Sequence, residues 1–254
     1  MRKRYNLKDM KKTILLAHRI TSETINNKNK LKELFCRLIR ETEIKGVEFD
    51  IRQTRDEKFI AFHDSKFPQL QKYIKDYTFE QLKKEAAKEG FSFLTMEETI
   101  KEIPENFEIQ IDIKDKMITI EKFLEIISNF NIIGNLIVSS FYPKLLYSLS
   151  FSNIKKRWLL TNHSLKRNPA HIFYALMPVK IALSCKATGI SPYFSLINKN
   201  VINKAHQNNL TVASWGINSE KETKNLLKYN IDYLIISPSL ILKNPLANYL
   251  KSGR

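Results

Sequence analysis

Short apolar runs alternate with stretches of helical spacing along most of the chain. The apolar runs, interpreted as candidate strands, lie at residues 13–17, 47–51, 107–113, 136–139, 158–160, 181–184, 211–215 and 233–236. An alternation of strands and helices is typical of βα units, which place parallel strands side by side in one sheet. The pattern therefore favours an α/β fold.

The helical stretches carry apolar stripes and start signals. Between residues 31 and 39, apolar side chains recur at i, i+3, i+4, i+7 and i+8, which gives one face for packing on a sheet. Capping boxes, in which a hydroxyl residue precedes Glu or Gln by three positions, begin at Thr78, Thr95 and Ser219. Pro143 fits the first turn of a further helix.

Eight candidate strands, each followed by helical or irregular chain, predict a TIM (β/α)8 barrel that forms a single domain. We assign residues 13–245 to the barrel, 1–12 to a basic N-terminal extension and 246–254 to a C-terminal tail. A doubly wound open sheet is the alternative fold. Because neither GxGxxG nor GxxxxGK[ST] follows the first candidate strand, nucleotide binding lacks its usual motif.

The chain is strongly basic. Its 254 residues carry 42 Lys and Arg against 26 Asp and Glu, a formal net charge of +16. Residues 1–40 hold twelve basic and three acidic side chains, so +9 of that excess lies at the N-terminal end. This balance fits a phosphate ester, an anionic membrane surface or nucleic acid as neighbour. We expect no nucleic-acid partner, because the sequence has no recognisable DNA- or RNA-binding motif.

Cysteine and hydropathy patterns narrow the setting. Cys36 and Cys185 lie far apart and outside any CxxC spacing, so neither a disulfide framework nor a zinc site is indicated. No segment approaches the roughly 18 apolar residues of a membrane-spanning helix. We therefore expect a cytoplasmic protein, with peripheral contact to an anionic membrane as a further option.

Two candidate strands carry polar side chains at every second position. These residues are Glu48, Asp50 and Arg52 in one strand and Gln110, Asp112 and Lys114 in the other. Alternate side chains of a strand point to the same face. If both strands line a barrel, Glu48, Asp50 and Asp112 offer an all-oxygen site that selects a hard divalent ion such as Mg²⁺, Ca²⁺ or Mn²⁺. The alternative is a solvated face of an antiparallel strand.

Two histidines lie at the ends of apolar runs. His18 and Arg19 follow the first candidate strand, and His63 and Asp64 follow the apolar run at 59–62. Imidazole is the side chain that titrates near neutral pH. Histidines at two strand ends, with a carboxylate pair between them in sequence, suit general acid–base catalysis.

The order of these motifs resembles that of the glycerophosphodiester phosphodiesterase family. The family carries an HR pair, an E-x-D pair and an HD pair, which match His18-Arg19, Glu48-Phe49-Asp50 and His63-Asp64. The similarity continues through Ile111-Asp112-Ile113-Lys114 and Val212-Ala213-Ser214-Trp215, and it covers roughly residues 13 to 240. Each motif is weak alone, but their order and spacing together are specific.

The resemblance implies a TIM-barrel phosphoric diester hydrolase that uses one divalent cation, Mg²⁺ or Ca²⁺. Its substrate would be a small-molecule or lipid-derived phosphodiester: a glycerophosphodiester or a lysophospholipid, cleaved to glycerol 3-phosphate, or a related phosphomonoester, and an alcohol. Matched positions assign the metal to Glu48, Asp50 and Asp112, acid–base catalysis to His18 and His63, and substrate or phosphate contacts to Arg19, Lys114 and Trp215. The resemblance leaves the oligomeric state open.

The chain departs from the family pattern at several positions. Ile20 stands where the family usually has Gly, and a β-branched residue does not easily adopt the φ > 0 conformations open to Gly. Asp112 stands where the family usually has Glu, the P-E-N-T segment is absent, and Ser237-Pro238-Ser239 replaces T-D-x-P. Because most of these changes fall on loops after strands, we expect altered substrate positioning with the chemistry retained.

Two other functions remain open from the sequence. A metal-independent mechanism with two histidines, similar to that of bacterial phosphatidylinositol phospholipases, would use the same fold. A catalytically impaired phosphate- or lipid-binding barrel would use the same pocket. Dependence of activity on a divalent ion distinguishes the metal-dependent phosphodiesterase from the metal-independent one. Turnover of a phosphodiester distinguishes either enzyme from the binding barrel.

Overall fold

The computed structural model describes residues 13–22, 26–67, 70, 72–162 and 170–243. Its strands are β1 (Ile14–Ala17), β2 (Gly46–Gln53), β3 (Phe59–Ala61), β4 (Glu108–Ile113), β5 (Leu136–Ser140), β6 (Lys156–Thr161), β7 (Gly189–Pro192), β8 (Thr211–Ile217) and β9 (Tyr233–Ile236). The helices are α1 (Lys28–Glu41), α2 (Phe79–Lys88), α3 (Met96–Glu102), α4 (Ile120–Ser128), α5 (Pro143–Leu149), α6 (Ala170–Leu176), α7 (Pro178–Ser184), α8 (Lys199–Gln207), α9 (Glu220–Leu226) and α10 (Pro238–Lys243). Short 3-10 turns lie at Ile74–Asp76 and Phe194–Leu196.

The parallel strands close into a barrel, which confirms the predicted TIM fold in a single domain. The order of pairing is β1-β9-β8-β7-β6-β5-β4-β2, and β1 also pairs in parallel with β2. Because both ends of this eight-strand ladder meet, the open-sheet alternative is wrong. β3 lies outside the ladder and pairs antiparallel with the end of β2.

One predicted strand is wrong. Residues 181–184 lie in α7, which begins at Pro178 and buries Val179 and Ala182 at helical spacing. The corresponding strand is β7, Gly189–Pro192, whose sequence Gly-Ile-Ser-Pro has little β propensity. Gly189 is required there, because a Cβ atom would lie 2.5 Å from Cδ1 of Trp158.

Apolar side chains pack in two layers that support the barrel. The main core lies between strands and helices, and it includes Leu31, Leu34, Phe35 and Leu38 of α1. Ile39, which the stripe also included, is 52% exposed. A second cluster fills the barrel interior and closes it below the carboxyl ends of the strands; its residues are Leu16, Ile137, Trp158, Ala213, Tyr233 and Ile235.

The helix starts predicted from the sequence are present in the structure. Thr78, Thr95 and Ser219 cap α2, α3 and α9 with complete capping boxes, and Pro143 occupies the first turn of α5. In the described part of the chain, every helix is too short or too polar to cross a membrane. Two predicted segments lie outside the described residues: the N-terminal extension (1–12) and the C-terminal tail (246–254). The N-terminal extension includes basic residues on which the expected contact with an anionic membrane depends.

Candidate active site

One pocket of about 180 Å³ brings together most of the predicted site residues. It opens at the carboxyl ends of the strands, where a TIM barrel carries its active site. Its lining includes His18, Arg19, Glu48, His63, Asp112, Lys114 and Trp215. Asp50, the remaining predicted residue, is 1% exposed and contacts Arg19 and Lys114 from within the site.

The three predicted metal carboxylates form one cluster. Glu48 and Asp50 lie on β2, and Asp112 lies directly opposite Asp50 on β4. One oxygen from each carboxylate lies within 4.8 Å of the others, and the three residues are 3%, 1% and 2% exposed. β2 and β4 are parallel and these side chains are buried, so the alternative of a solvated antiparallel face is wrong.

Lys114 is the internal counter-charge of this cluster. Its Nζ lies 2.8 Å from Oδ1 of Asp50 and also contacts Oδ2 of Asp112. Burial alone would lower the pKa of Lys114, but the charges of Asp112, Asp50 and Glu48 outweigh it and raise the pKa. Burial likewise opposes ionisation of Asp50, yet Lys114, His63 and Arg19 hold the pKa of Asp50 well below its usual range.

The other two carboxylates are not fully balanced by protein cations. Burial, with the charge of Asp50, raises the pKa of Glu48 well above its usual value. Burial and the same charge raise the pKa of Asp112 to about 6, against the attraction of Lys114. Oδ1 of Asp112 and Oε1 of Gln110 are buried without a hydrogen-bond donor, and the oxygens of Asp50 face the ion-pair partners Lys114 and Arg19. Anionic oxygens with spare lone pairs fit a hard divalent cation.

Both predicted catalytic histidines lie beside the carboxylates. Nε2 of His18 lies 3.7 Å from Oε2 of Glu48, and Nδ1 of His63 lies 2.7 Å from Oδ1 of Asp64. Burial lowers the pKa of His18 to about 3 and the pKa of His63 to about 4, although the charge of Asp50 opposes both shifts. Both imidazoles are therefore neutral near pH 7 and can accept a proton.

Arg19 adopts the unusual backbone conformation of the first strand end. Its φ is +50°, and its backbone N–H donates a 2.8 Å hydrogen bond to Oε2 of Glu48. Nε of Arg19 lies 3.4 Å from Oδ2 of Asp50, while the side chain is 41% exposed. Arg19 thus fixes one carboxylate with its backbone and offers its guanidinium to the pocket.

Ile20 packs in the core and is not among the residues that line the pocket. The left-handed conformation falls on Arg19, and Ile20 has negative φ. Its side chain is fully buried in the core between strands and helices. The replacement of Gly by Ile at this position is therefore accommodated by packing.

Aromatic and aliphatic side chains form an apolar wall of the pocket. Trp215 donates from Nε1 to the carbonyl oxygen of Ser191 at 3.0 Å. It packs edge-on against Phe141 and Tyr193, with ring centroids 5.7 Å and 5.1 Å away. The pocket therefore has an ionic side and an apolar side. Leu160 and Ile235 also line it.

Five lining residues were not among the predicted site residues: Gln110, Phe141, Leu160, Asn162 and Ile235. Gln110 lies opposite Glu48 on β4, is 1% exposed, and donates from Nε2 to Oγ of Ser139 at 2.9 Å. The sequence feature that could have identified Gln110 is its position in the alternating polar set of β4, which also contains Asp112 and Lys114. Phe141 and Asn162 line the pocket directly after β5 and β6, and position after a strand end was their only signal.

Sequence comparison finds a family model and relatives that this chain resembles over most of its length. Residues 40–237 match the sequence profile of the glycerophosphoryl diester phosphodiesterase family. The chain is 25% identical over 241 residues to the glycerophosphodiester phosphodiesterase of Caldanaerobacter subterraneus subsp. tengcongensis, covering 88% of this chain and 93% of that protein.

Solved structures share the fold. A glycerophosphodiester phosphodiesterase from Thermotoga maritima superposes with a TM-score of 0.67 at 20% identity, over 91% of this chain and 96% of its own. An Oleispira antarctica phosphodiesterase in complex with the product sn-glycerol-3-phosphate gives a TM-score of 0.68 at 17% identity, over 94% and 96% of the two chains.

Proposed function

The chain belongs to the glycerophosphoryl diester phosphodiesterase family of phosphoric diester hydrolases, and we propose that it cleaves a glycerophosphodiester into glycerol 3-phosphate and an alcohol. One observation carries the proposal: a buried cluster of three carboxylates shares a pocket with two histidines that are neutral near pH 7. The name of the Caldanaerobacter relative and the product bound to the Oleispira enzyme support this choice of substrate.

Glu48, Asp50 and Asp112 would hold one divalent cation, Mg²⁺ or Ca²⁺. When bound, such an ion neutralises charge on phosphoryl oxygens and lowers the pKa of a coordinated hydroxyl group. The excess of carboxylate over ammonium charge in the cluster favours a dication over a second monovalent partner. The shorter Asp112, in place of the family's usual Glu, would alter the coordination of that ion.

Arg19 and Lys114 would supply positive charge to the phosphate. Lys114 is 10% exposed and already forms ion pairs with two carboxylates, which neutralise part of its charge. The side chain of Arg19 is 41% exposed, and its Nε lies 3.4 Å from Oδ2 of Asp50. We therefore assign the direct phosphate contact mainly to Arg19, because a guanidinium offers paired donors that match phosphate oxygens.

His18 and His63 would move the protons of the reaction. The neutral imidazole of one would remove the proton of the attacking hydroxyl group, and that proton would pass through the other imidazole to the departing alkoxide. Asp64 lies 2.7 Å from Nδ1 of His63 and would stabilise the imidazolium that forms there. His18 has its ring nitrogen near Glu48 instead.

The apolar wall would contact the alcohol part of the substrate. Trp215 and Phe141 present ring surface beside the aliphatic Leu160 and Ile235. Contacts of this kind favour an alcohol with apolar surface over a small hydrophilic one. A lysophospholipid carries its acyl chain on the glycerol part, so it stays a candidate substrate if that chain contacts the same residues.

The experiment that tests this function is a product assay across a panel. Glycerophosphocholine, glycerophosphoglycerol, glycerophosphoinositol and lysophospholipids are incubated with the protein, and released glycerol 3-phosphate and phosphomonoesters are quantified. We expect glycerol 3-phosphate or its acylated form from at least one compound, and a rate of release lowered about 10²- to 10⁴-fold by His63→Ala. Binding of divalent ions with no product from any phosphodiester would instead support the binding-barrel alternative.

A further inference from the structure

Arg52 is the third polar residue of the alternating set on β2, and the proposed reaction gives it no role. It follows Glu48 and Asp50 at the same spacing along the strand. Its guanidinium lies between two segments of chain that carry site residues. One segment follows β3 and contains His63, and the other follows β4 and contains Lys114.

The guanidinium contacts both segments. Nε of Arg52 donates to the carbonyl oxygen of His63 at 3.0 Å. Nη1 donates to Oδ1 of Asp115 at 2.5 Å and to the carbonyl oxygen of Lys114 at 3.5 Å. The second oxygen of Asp115 accepts from the backbone N–H of Gln53 at 2.8 Å. Arg52 and Asp115 thus tie the end of β2 to the backbone at both site residues.

These contacts occur where the strand ladders have ended. Pairing between β2 and β3 ends at Ile51–Ala61, and pairing between β2 and β4 ends at Ile51–Ile113. His63 and Lys114 lie beyond these pairs. The N–H of Lys114 still donates to the carbonyl oxygen of Ile51 at 3.2 Å, whereas the carbonyl oxygens of His63 and Lys114 accept from Arg52 instead of from a neighbouring strand. The side chains of Arg52 and Asp115 are only 15% and 20% exposed, so water screens their attraction weakly.

We propose that Arg52, held by Asp115, is a positioning residue for His63 and Lys114. It fixes the backbone of both residues and thereby the imidazole and ammonium groups that they direct into the pocket. It acts through these groups and does not touch substrate. The inference rests on the proposed function, which gives His63 and Lys114 their roles. A misplacement of about 1 Å can cost about 100-fold in rate.

Three variants and one control test this role. Arg52→Met removes the charge and the donors but keeps most of the apolar stem. Arg52→Lys keeps the charge but cannot hold several acceptors in one plane, and Asp115→Asn weakens the pair while keeping its size. The control is Lys156→Met, because Lys156 forms a comparable 2.9 Å ion pair with Glu108 at the opposite end of the barrel.

The first readout needs no activity. Hydrogen–deuterium exchange is followed for peptides that cover residues 61–66 and 113–117, in the full chain with divalent ion present. We expect Arg52→Met to speed exchange in both segments, Asp115→Asn and Arg52→Lys to speed it less, and Lys156→Met to leave it unchanged. If Arg52→Met does not fold, Asp115→Asn decides the test.

The second readout is kinetic. We expect Arg52→Met to lower kcat about 10- to 100-fold, with KM and divalent-ion affinity within about 3-fold of wild type. In a His63→Ala background the same substitution should cost clearly less than it does in the wild-type chain, because only Lys114 is then left for Arg52 to position.

The outcomes separate this inference from the proposed function. Unchanged exchange in both segments with kcat near wild type would overturn the positioning role, as would an undiminished loss in the His63→Ala background. If the wild-type chain cleaved no phosphodiester but Arg52→Met still loosened both segments, the positioning role would stand and the proposed function would fall.

Discussion

Nζ of Lys114 lies 2.8 Å from Oδ1 of Asp50, inside a site where the two side chains are 10% and 2% exposed. This ammonium group is the deepest cation of the carboxylate cluster, and it also contacts Asp112. Without a divalent ion it carries most of the neutralisation that Glu48, Asp50 and Asp112 require.

The first prediction concerns this counter-charge. In the presence of chelator, Lys114→Met should lower the free energy of unfolding by about 3 kcal/mol, because removing one partner leaves buried like charges unpaired. Added Mg²⁺ or Ca²⁺ should then raise the unfolding temperature of the variant more than that of wild type. Lys156→Met serves as control. Equal stability of Lys114→Met and wild type in chelator would contradict this reading of the cluster.

The second prediction is a pH dependence. The pKa of Asp112 is raised to about 6 in the metal-free folded chain by burial and the charge of Asp50, above its unfolded value of about 4. The folded state therefore binds this proton more tightly. Asp112 contributes stability that is fully present below about pH 4 and is lost as the pH rises through about 6.

Replacement of Asp112 by Asn removes this pH-dependent loss of stability. In chelator, the unfolding free energy of Asp112→Asn relative to wild type should shift in favour of the variant by about 1 to 3 kcal/mol between pH 4 and pH 7. Comparing the two proteins cancels most of the contribution of His18 and His63, which changes over the same range. Urea unfolding midpoints measure the difference, with Glu85→Gln as an exposed control. Parallel curves for Asp112→Asn and wild type would refute the shift.

The third prediction assigns the proton transfers. His18→Ala and His63→Ala should each lower kcat by about 10²- to 10⁴-fold on a substrate with an alkyl leaving group, as expected for general acids and bases. Divalent-ion affinity should change little. His206→Ala is the matched control, because His206 pairs with Asp232 at 2.9 Å outside the pocket. Near-wild-type turnover by both alanine variants would remove the histidines from the mechanism.

The fourth prediction concerns the alcohol. We expect kcat/KM for glycerophosphocholine to be lower than for a substrate whose alcohol part has more apolar surface, because of the loop departures and the aromatic wall. Trp215→Ala should raise KM for the apolar substrate about 10-fold and change KM for glycerophosphoglycerol less, whereas Trp215→Phe should be mild. High kcat/KM on glycerophosphocholine in wild type would show that the departures have no effect on specificity.

The carboxylate cluster could be predicted because two periodicities define it. Side chains alternate along each strand, so Glu48 and Asp50 share a face, and parallel strands bring Asp112 level with Asp50. A barrel then collects the carboxyl ends of all its strands at one face, which places His18 with the carboxylates. Local patterns therefore suffice when the fold is built from repeated units.

The remaining features depend on contacts that periodicity does not encode. Gly189 of β7 is required because Trp158 occupies the space beside it, and a four-residue strand that contains both Gly and Pro lacks a strand signal in its sequence. Ile20 is buried because the left-handed residue is Arg19, a choice that depends on the hydrogen bond to Glu48. The bond from Arg52 to the His63 carbonyl joins residues whose backbones meet only through an antiparallel strand.

The central claim is that Glu48, Asp50 and Asp112 hold the divalent ion on which the reaction depends. The most direct measurement is glycerol 3-phosphate release by chelator-treated protein as Mg²⁺ or Ca²⁺ is restored, beside Asp50→Asn at the same concentrations. We predict no release in chelator, recovery in wild type on addition of one of these ions, and no recovery in folded Asp50→Asn. Full release by the wild-type protein in excess chelator would contradict the account and favour the metal-independent mechanism.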